Sequence, residues 1–453
     1  MRRSIKTLDY SMADSSTEFR ENFKLIVLFV ILASSLFLGY LQLVPPQYLR
    51  IGAFAIVLVG CVSINDNGVI KLMLVVFTFN ALQRRILAGP AFYIENDYLI
   101  LLPFIPMTVL IIRNMKVAFS DKLLNSIIFF ICFLTIFTIM SDVFQIGWGI
   151  ANFILVLLAS LVSKEHLNVN TVKFIAGLGV VEALSVIFQR ISMQTYDIGW
   201  CIAVKKYLVV NEICNSNSPR LWGTMESAIN TGCFLATAFV ILYYLPNKRS
   251  TIYLKPLGLF TIFAGIFLTG SRTFIFLIPV VLFLVSFKRR VSTPSVLAGS
   301  LLLFILFTSL PTIAAALNYN SRWTDRLTFK NISSDESLDA RLNLVQSFTD
   351  ALTLNNILFG AGIGTKSRGT GAIDNGFFSL IIEVGLPLMV VLCLYIFSSL
   401  RITLKISGFQ YSILAGALML FLSNLSFSVF AGSSGLLFWL CLANVHNLSL
   451  SRE

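Results

Sequence analysis

Apolar runs of roughly 17–25 residues follow one another almost from end to end of this chain, and no water-soluble fold can hide so many of them. The 453 residues are 57% hydrophobic and only 12% charged, with 40 Phe. In lipid every backbone N–H and C=O has to be satisfied within the segment or its closed sheet, so runs of this length read as helices. The expected fold class is all-α: a polytopic integral membrane protein with about 12–14 transmembrane helices. Among the expected spans are 69–85, 98–112, 254–270, 273–287 and 374–400.

The formal charge of +12 would suggest nucleic acid in a soluble protein. Here no basic patch interleaves with exposed aromatics, so nucleic acid is excluded as a partner. Basic residues instead gather in alternate short loops. One set holds Lys71, then Arg113, Lys116 and Lys122, then Lys164 and Lys173, and later Lys288, Arg289, Arg290, Arg401 and Lys405. The short loops on the opposite side hold only Arg50, Arg84, Arg85 and Arg272. Cytoplasmic loops carry the Lys/Arg excess, so both termini are expected inside. The N-terminus is too polar to be a signal peptide's apolar core.

The expected organisation is a cytoplasmic tail over 1–23, transmembrane helices over 24–191, an outer loop over 192–226, helices over 227–316, a large outer loop over 317–373, C-terminal helices over 374–448 and a tail over 449–453. Within the large loop, Leu338, Leu342, Val345, Phe348 and Leu352 recur at helical spacing, and Ser333 with Glu336 fits a capping box. That pattern predicts an amphipathic helix lying at the membrane surface.

Seven cysteines form no CxxC pair. Cys201 and Cys214 share the first outer loop, where a disulfide is one possibility and two free thiols the other. The two histidines, His166 and His446, are far apart, and Glu95 with Asp97 is a weak acid-x-acid pair, so no metal site is assigned. The glycine run GAGIGTKSRGTG lacks the spacing of a nucleotide loop and is expected to make a tight turn into the next span.

Chemistry is expected where charge meets the outer membrane boundary. Residues 254–287 form two apolar stretches broken at Gly270, Ser271, Arg272 and Thr273. A guanidinium there costs about 2.5–3.5 kcal/mol unless it is paired or solvated, and arginine is the side chain that grips phosphate bidentately. Three further positions share that side. Arg220 precedes Trp222, Gly223 and Glu226. Arg341 opens the amphipathic face. Asp374 and Asn375 begin a span that carries Glu383 deeper down. Arg220, Arg272, Arg341 and Asn375 are the candidate substrate-binding residues, and Asp374, Glu226 and Glu383 the candidate bases. Each is also readable as an ion pair pinning a helix end. Glu182, buried mid-span, reads as a structural pair or a neutral acid, and Asn80, Asn152 and Asn424 as interhelical hydrogen-bond donors.

Taken in order, RLWGTMESAIN, TGSRT, Arg341 followed by NNILFGAGIG, and DNGFFSLIIEVGLPL resemble the bacterial O-antigen polymerase and O-antigen ligase superfamily over about residues 215–400. The resemblance implies a GT-C-type membrane glycosyltransferase of the bacterial inner membrane, with its active site on the periplasmic face. Its substrate would be an undecaprenyl-diphosphate-linked oligosaccharide, with no cofactor and with a chain-length regulator and a flippase as possible partners. It implies that Arg220, Arg272 and Arg341 lie near diphosphate and glycan. Ligases of the superfamily carry a functional histidine in or after the large loop. This chain has none between His166 and His446, which favours a polymerase, with a ligase as the alternative. A transporter or flippase for lipid-linked sugar is the rival from another class; it predicts two related halves, and no internal repeat is visible.

Overall fold

The computed structural model describes residues 2–95, 98–118, 128, 129, 131, 149–163, 168–192, 197, 221–225, 227–246, 254–289, 354–360, 362, 375–402, 409–425, 429 and 432–450. Among them the secondary structure is helical throughout, with no strand. The large loop's amphipathic helix, the Cys201 and Cys214 pair, Asp97 and His166 lie outside the described residues. The chain divides into two units, residues 1–114 with 194–208, and residues 115–193 with 209–453.

The first unit is built on α1 (Arg2–Tyr40), α2 (Pro46–Ser63), α3 (Asp66–Glu95) and α4 (Phe104–Arg113). Neighbours in sequence are neighbours in space, as short connections require. The first helix runs unbroken over Arg2–Tyr40, across the boundary expected between tail and span. Phe23, Ile26, Val30 and Phe37 on α1 are all more than half exposed. Such an apolar surface has a natural solvent only in lipid.

Polar residues pin the ends of these helices. At one end Lys24 meets Glu21 at 2.8 Å and Lys71 meets Asn22 at 3.0 Å. There too, Arg113 donates to the carbonyls of Cys61 at 2.7 Å and Ile64 at 2.9 Å. Arg50 lies within α2 rather than in a loop and donates to the Leu87 carbonyl at 2.9 Å.

The loop position expected for Arg84 and Arg85 is corrected. The third helix does not stop at residue 85 but continues to Glu95, and both arginines are buried within it. Arg85 pairs with Asp197 at 2.6 Å, and its Nε donates to the Ala81 carbonyl. A cation with a partner carboxylate can be buried in a helix, so charge alone did not mark a loop.

The second unit comprises a π-helical turn (Ile150–Leu155) running into α5 (Val156–Val162), then α6 (Val169–Ile191), α7 (Ala228–Tyr244), α8 (Leu254–Leu268), α9 (Arg272–Arg289), α10 (Leu354–Phe359), α11 (Gly376–Val384), α12 (Leu386–Ile402), α13 (Gln410–Ser423) and α14 (Gly432–Leu450). At its centre is α7, in contact with α6, α8, α9 and α13. Its sequence AINTGCFLATAFVILYY is apolar on every side, as a helix surrounded by helices requires. Arg20–Tyr40, Pro46–Ser63 and Val169–Ile191 are each long and apolar enough to cross a membrane. Other apolar helices among the described residues run 10–17 residues.

The expected single span over 374–400 is corrected to two helices. Gly385 sits between α11 and α12 at φ 82° and ψ 158°, a conformation nearly reserved for glycine, and Pro387 follows in the first turn of α12. Gly360, at φ 73°, lies back to back with this break. A side chain at Gly385 would meet the Leu358 carbonyl oxygen at 2.6 Å, and one at Gly360 would meet the Glu383 carbonyl oxygen at 2.6 Å. The Gly362 N–H donates to that same Glu383 carbonyl at 3.1 Å. The first glycines of the GAGIG run thus serve close backbone packing.

Candidate functional site

Glu182 and Gln189 stand seven residues apart on α6, two turns along one face. Both are buried, with Glu182 at 0% exposure. Between them they hold the backbone of the RLWGT segment. The N–H groups of Trp222 and Gly223 both donate to Gln189 Oε1 at 3.0 Å. The Thr224 N–H donates to Glu182 Oε1 at 3.0 Å, and the Thr224 hydroxyl donates to Glu182 Oε2. A left-handed backbone at Gly223, φ 54°, brings the turn against α6, and a Cβ there would run into the Glu182 carboxylate.

The same turn is tied forward to α7. The Thr231 hydroxyl donates to the Trp222 carbonyl at 2.6 Å, and Ser227 caps α7 by accepting from the Asn230 N–H. Leaving those backbone donors buried and unpaired would cost about 1–3 kcal/mol each, so this lock is a strong local constraint. Arg220 itself lies outside the described residues, one peptide bond before the fixed Leu221.

The second motif docks on the first turn of α7. After α8 ends, the Ser271 hydroxyl donates to the Ala228 carbonyl at 3.2 Å. Gly232 leaves room for Phe274, whose ring would lie 2.7 Å from a Cβ there. Arg272 is the first residue of α9, placed by its backbone at this same end.

The third motif arrives through α13. That helix runs antiparallel to α7: Gly416 at its middle faces Ile241 near the end of α7, while Ser423 at its end lies by Cys233 in the second turn of α7. The Asn424 carbonyl then accepts the Gly376 N–H at 2.8 Å, which seats the start of α11. Asn375 is the N-cap of α11, its Oδ1 accepting from Phe377 at 3.0 Å and Phe378 at 3.2 Å. Asn424 does not act as the expected side-chain donor between helices. Its Nδ2 turns back to Leu420 in its own helix, and its Oδ1 takes the Val429 N–H.

RLWGT, TGSRT and the start of NGFFSLIIEV therefore meet at one end of the second unit. Helix ends of both polarities gather there, since α7, α9 and α11 begin where α6, α8 and α13 end, so the dipoles partly cancel and side-chain charge decides the field. Glu383 lies half-buried near the C-terminal end of α11, eight residues after Asn375, about 12 Å of helix rise. Glu226, Arg341 and Asp374 lie outside the described residues. No cluster of three or more metal-ligating side chains occurs among the described residues. Gln189 was not anticipated; its spacing of seven from Glu182 was the signal available.

Residues 257–393 match a protein-family model described as O-antigen ligase. That stretch includes the TGSRT break, α11 and the first half of α12, and begins after the RLWGT turn. No curated protein matches the chain. Over residues 257–393 this all-α, polytopic membrane chain is thus similar to the O-antigen ligase family.

Proposed function

We propose that this end of the second unit is the active site of a polysaccharide polymerase. In this reading the enzyme moves a growing glycan from undecaprenyl diphosphate to a hydroxyl of the next lipid-linked repeat unit, at the periplasmic face of the inner membrane. The observation that carries it is the meeting of three motifs separated by up to about 150 residues in sequence. Two of them bring an arginine, Arg220 through the locked turn and Arg272 through the break.

The chemistry asks little more of the site than charge and position. The bond between the anomeric carbon and the diphosphate oxygen breaks, and a bond from that carbon to the acceptor oxygen forms. The acceptor's proton passes to a carboxylate, for which Asp374, Glu226 and Glu383 are the candidates. Undecaprenyl diphosphate leaves with the bonding electrons, its charge held by Arg220, Arg272 and Arg341. The diphosphate ester is already activated, so the step needs no nucleotide. Asn375 spends its Oδ1 on the helix cap and donates from Nδ2 to the Leu425 carbonyl at 3.5 Å, which leaves one amide N–H for a ligand.

A ligase is the second reading, and the family description, O-antigen ligase, favours it. The absence of histidine between His166 and His446 favours the polymerase. Deleting the gene in its host and running surface and lipid-linked glycans on a gel separates the readings. Loss of polymerase leaves single repeat units. Long polymer retained on the carrier means ligase. Single repeats trapped on the cytoplasmic face mean a flippase and overturn the proposal.

A further inference from the structure

Gln189 has more to offer than the lock it forms. The residue is only 4% exposed. Its Oε1 accepts two backbone N–H groups at 3.0 Å, so the amide cannot be flipped without losing both. Its Nε2 therefore points its two N–H donors elsewhere. That nitrogen is buried and has no hydrogen-bond partner among the described residues. Buried donors are almost always satisfied in a finished protein, and an exception calls for an explanation such as an absent ligand or water.

The orphan donor is held at a telling place. Gln189 binds the N–H of Trp222, two residues after Arg220, so it stands beside the segment that delivers one of the proposed diphosphate-binding arginines. A neutral amide N–H adds a directed hydrogen bond to an anionic oxygen without adding charge. In a site closed to bulk water such a bond is worth more than at a surface.

We propose that Gln189 is a substrate-contacting residue whose Nε2 donates to a phosphate oxygen of the diphosphate. This rests on the reading of the site given above. One side chain then does two things: its oxygen holds the RLWGT turn and its nitrogen binds the ligand that the turn presents. The donor is closed to bulk water, so ligand binding has to open a path to it.

The test separates the two ends of the amide. Gln189→Glu keeps acceptor oxygens for Trp222 and Gly223 but replaces the donor with an anionic oxygen. The purified full-length protein is titrated in detergent with undecaprenyl diphosphate and, separately, with inorganic pyrophosphate, at pH 8. The expected result is lipid binding by the wild type and roughly 10- to 100-fold weaker binding by Gln189→Glu. Where inorganic pyrophosphate binds as well as the lipid and is lost in the same variant, the donor stands and the diphosphate group alone is its ligand. If the Glu variant fails to fold, Gln189→Met serves instead; it removes donor and acceptor together without adding charge, so its loss of binding is read against Thr231→Val, which loosens the same turn but keeps the donor. Unchanged affinity in either folded variant overturns the donor role and leaves the diphosphate reading intact. A wild type that binds neither probe overturns both.

Discussion

At the scale of single residues, the buried carboxylate of Glu182 sets how the RLWGT turn sits. It accepts from both the N–H and the hydroxyl of Thr224. Glu182→Ala removes both acceptors and leaves buried donors, a loss of about 1–3 kcal/mol. Glu182→Gln keeps one carbonyl oxygen for the N–H and should lose less. We expect thermal melts of the purified protein in detergent to rank wild type above Gln and Gln above Ala. An Ala variant melting with the wild type would show that the turn is held by something else. The sequence marked Glu182 as a buried acid, either paired or neutral, in an apolar run. The partner was not legible, since Thr224 lies 42 residues on and comes from a loop.

At the scale of elements, the break between α11 and α12 is a packed joint. Its conformation at Gly385 costs any other residue about 1–3 kcal/mol, and a Cβ would strike the Leu358 carbonyl. Gly385→Ala should therefore lower the yield of monodisperse protein and its melting temperature. Gly177→Ala is the control: that glycine is exposed in the middle of α6, with nothing within 4 Å of its would-be Cβ. Alanine is the better helix former by about 1 kcal/mol, so this variant should melt at or above the wild type. Equal behaviour of the two variants would contradict the joint. The break had a signal in Gly385 followed by Pro387, but the apolar run across it has no polar residue between Glu383 and the end of the joint, and hydropathy alone merges the halves. Arg84 and Arg85 erred in the opposite sense. Two adjacent cations suggested a helix end, whereas Asp197, 112 residues away from Arg85, makes burial possible.

At the scale of the whole molecule, fold class was the most legible property, because apolar runs of membrane length admit few alternatives. The order of the four motifs was legible too, but the meeting point of three of them was not. It depends on α13 running antiparallel to α7 and on Ser271 reaching Ala228, contacts between segments with no local pattern in common. In the proposed function, the end of the second unit where these three motifs meet handles a lipid-linked diphosphate, and the Arg272 charge is required for transfer. The most direct measurement is to express Arg272→Ala in a deletion host, quantify the protein in the membrane, and resolve the glycans on a gel. The expected result is wild-type protein level with polymer lost, and partial recovery in Arg272→Lys, which keeps the charge but not the bidentate grip. Normal polymer length and amount in Arg272→Ala would contradict it.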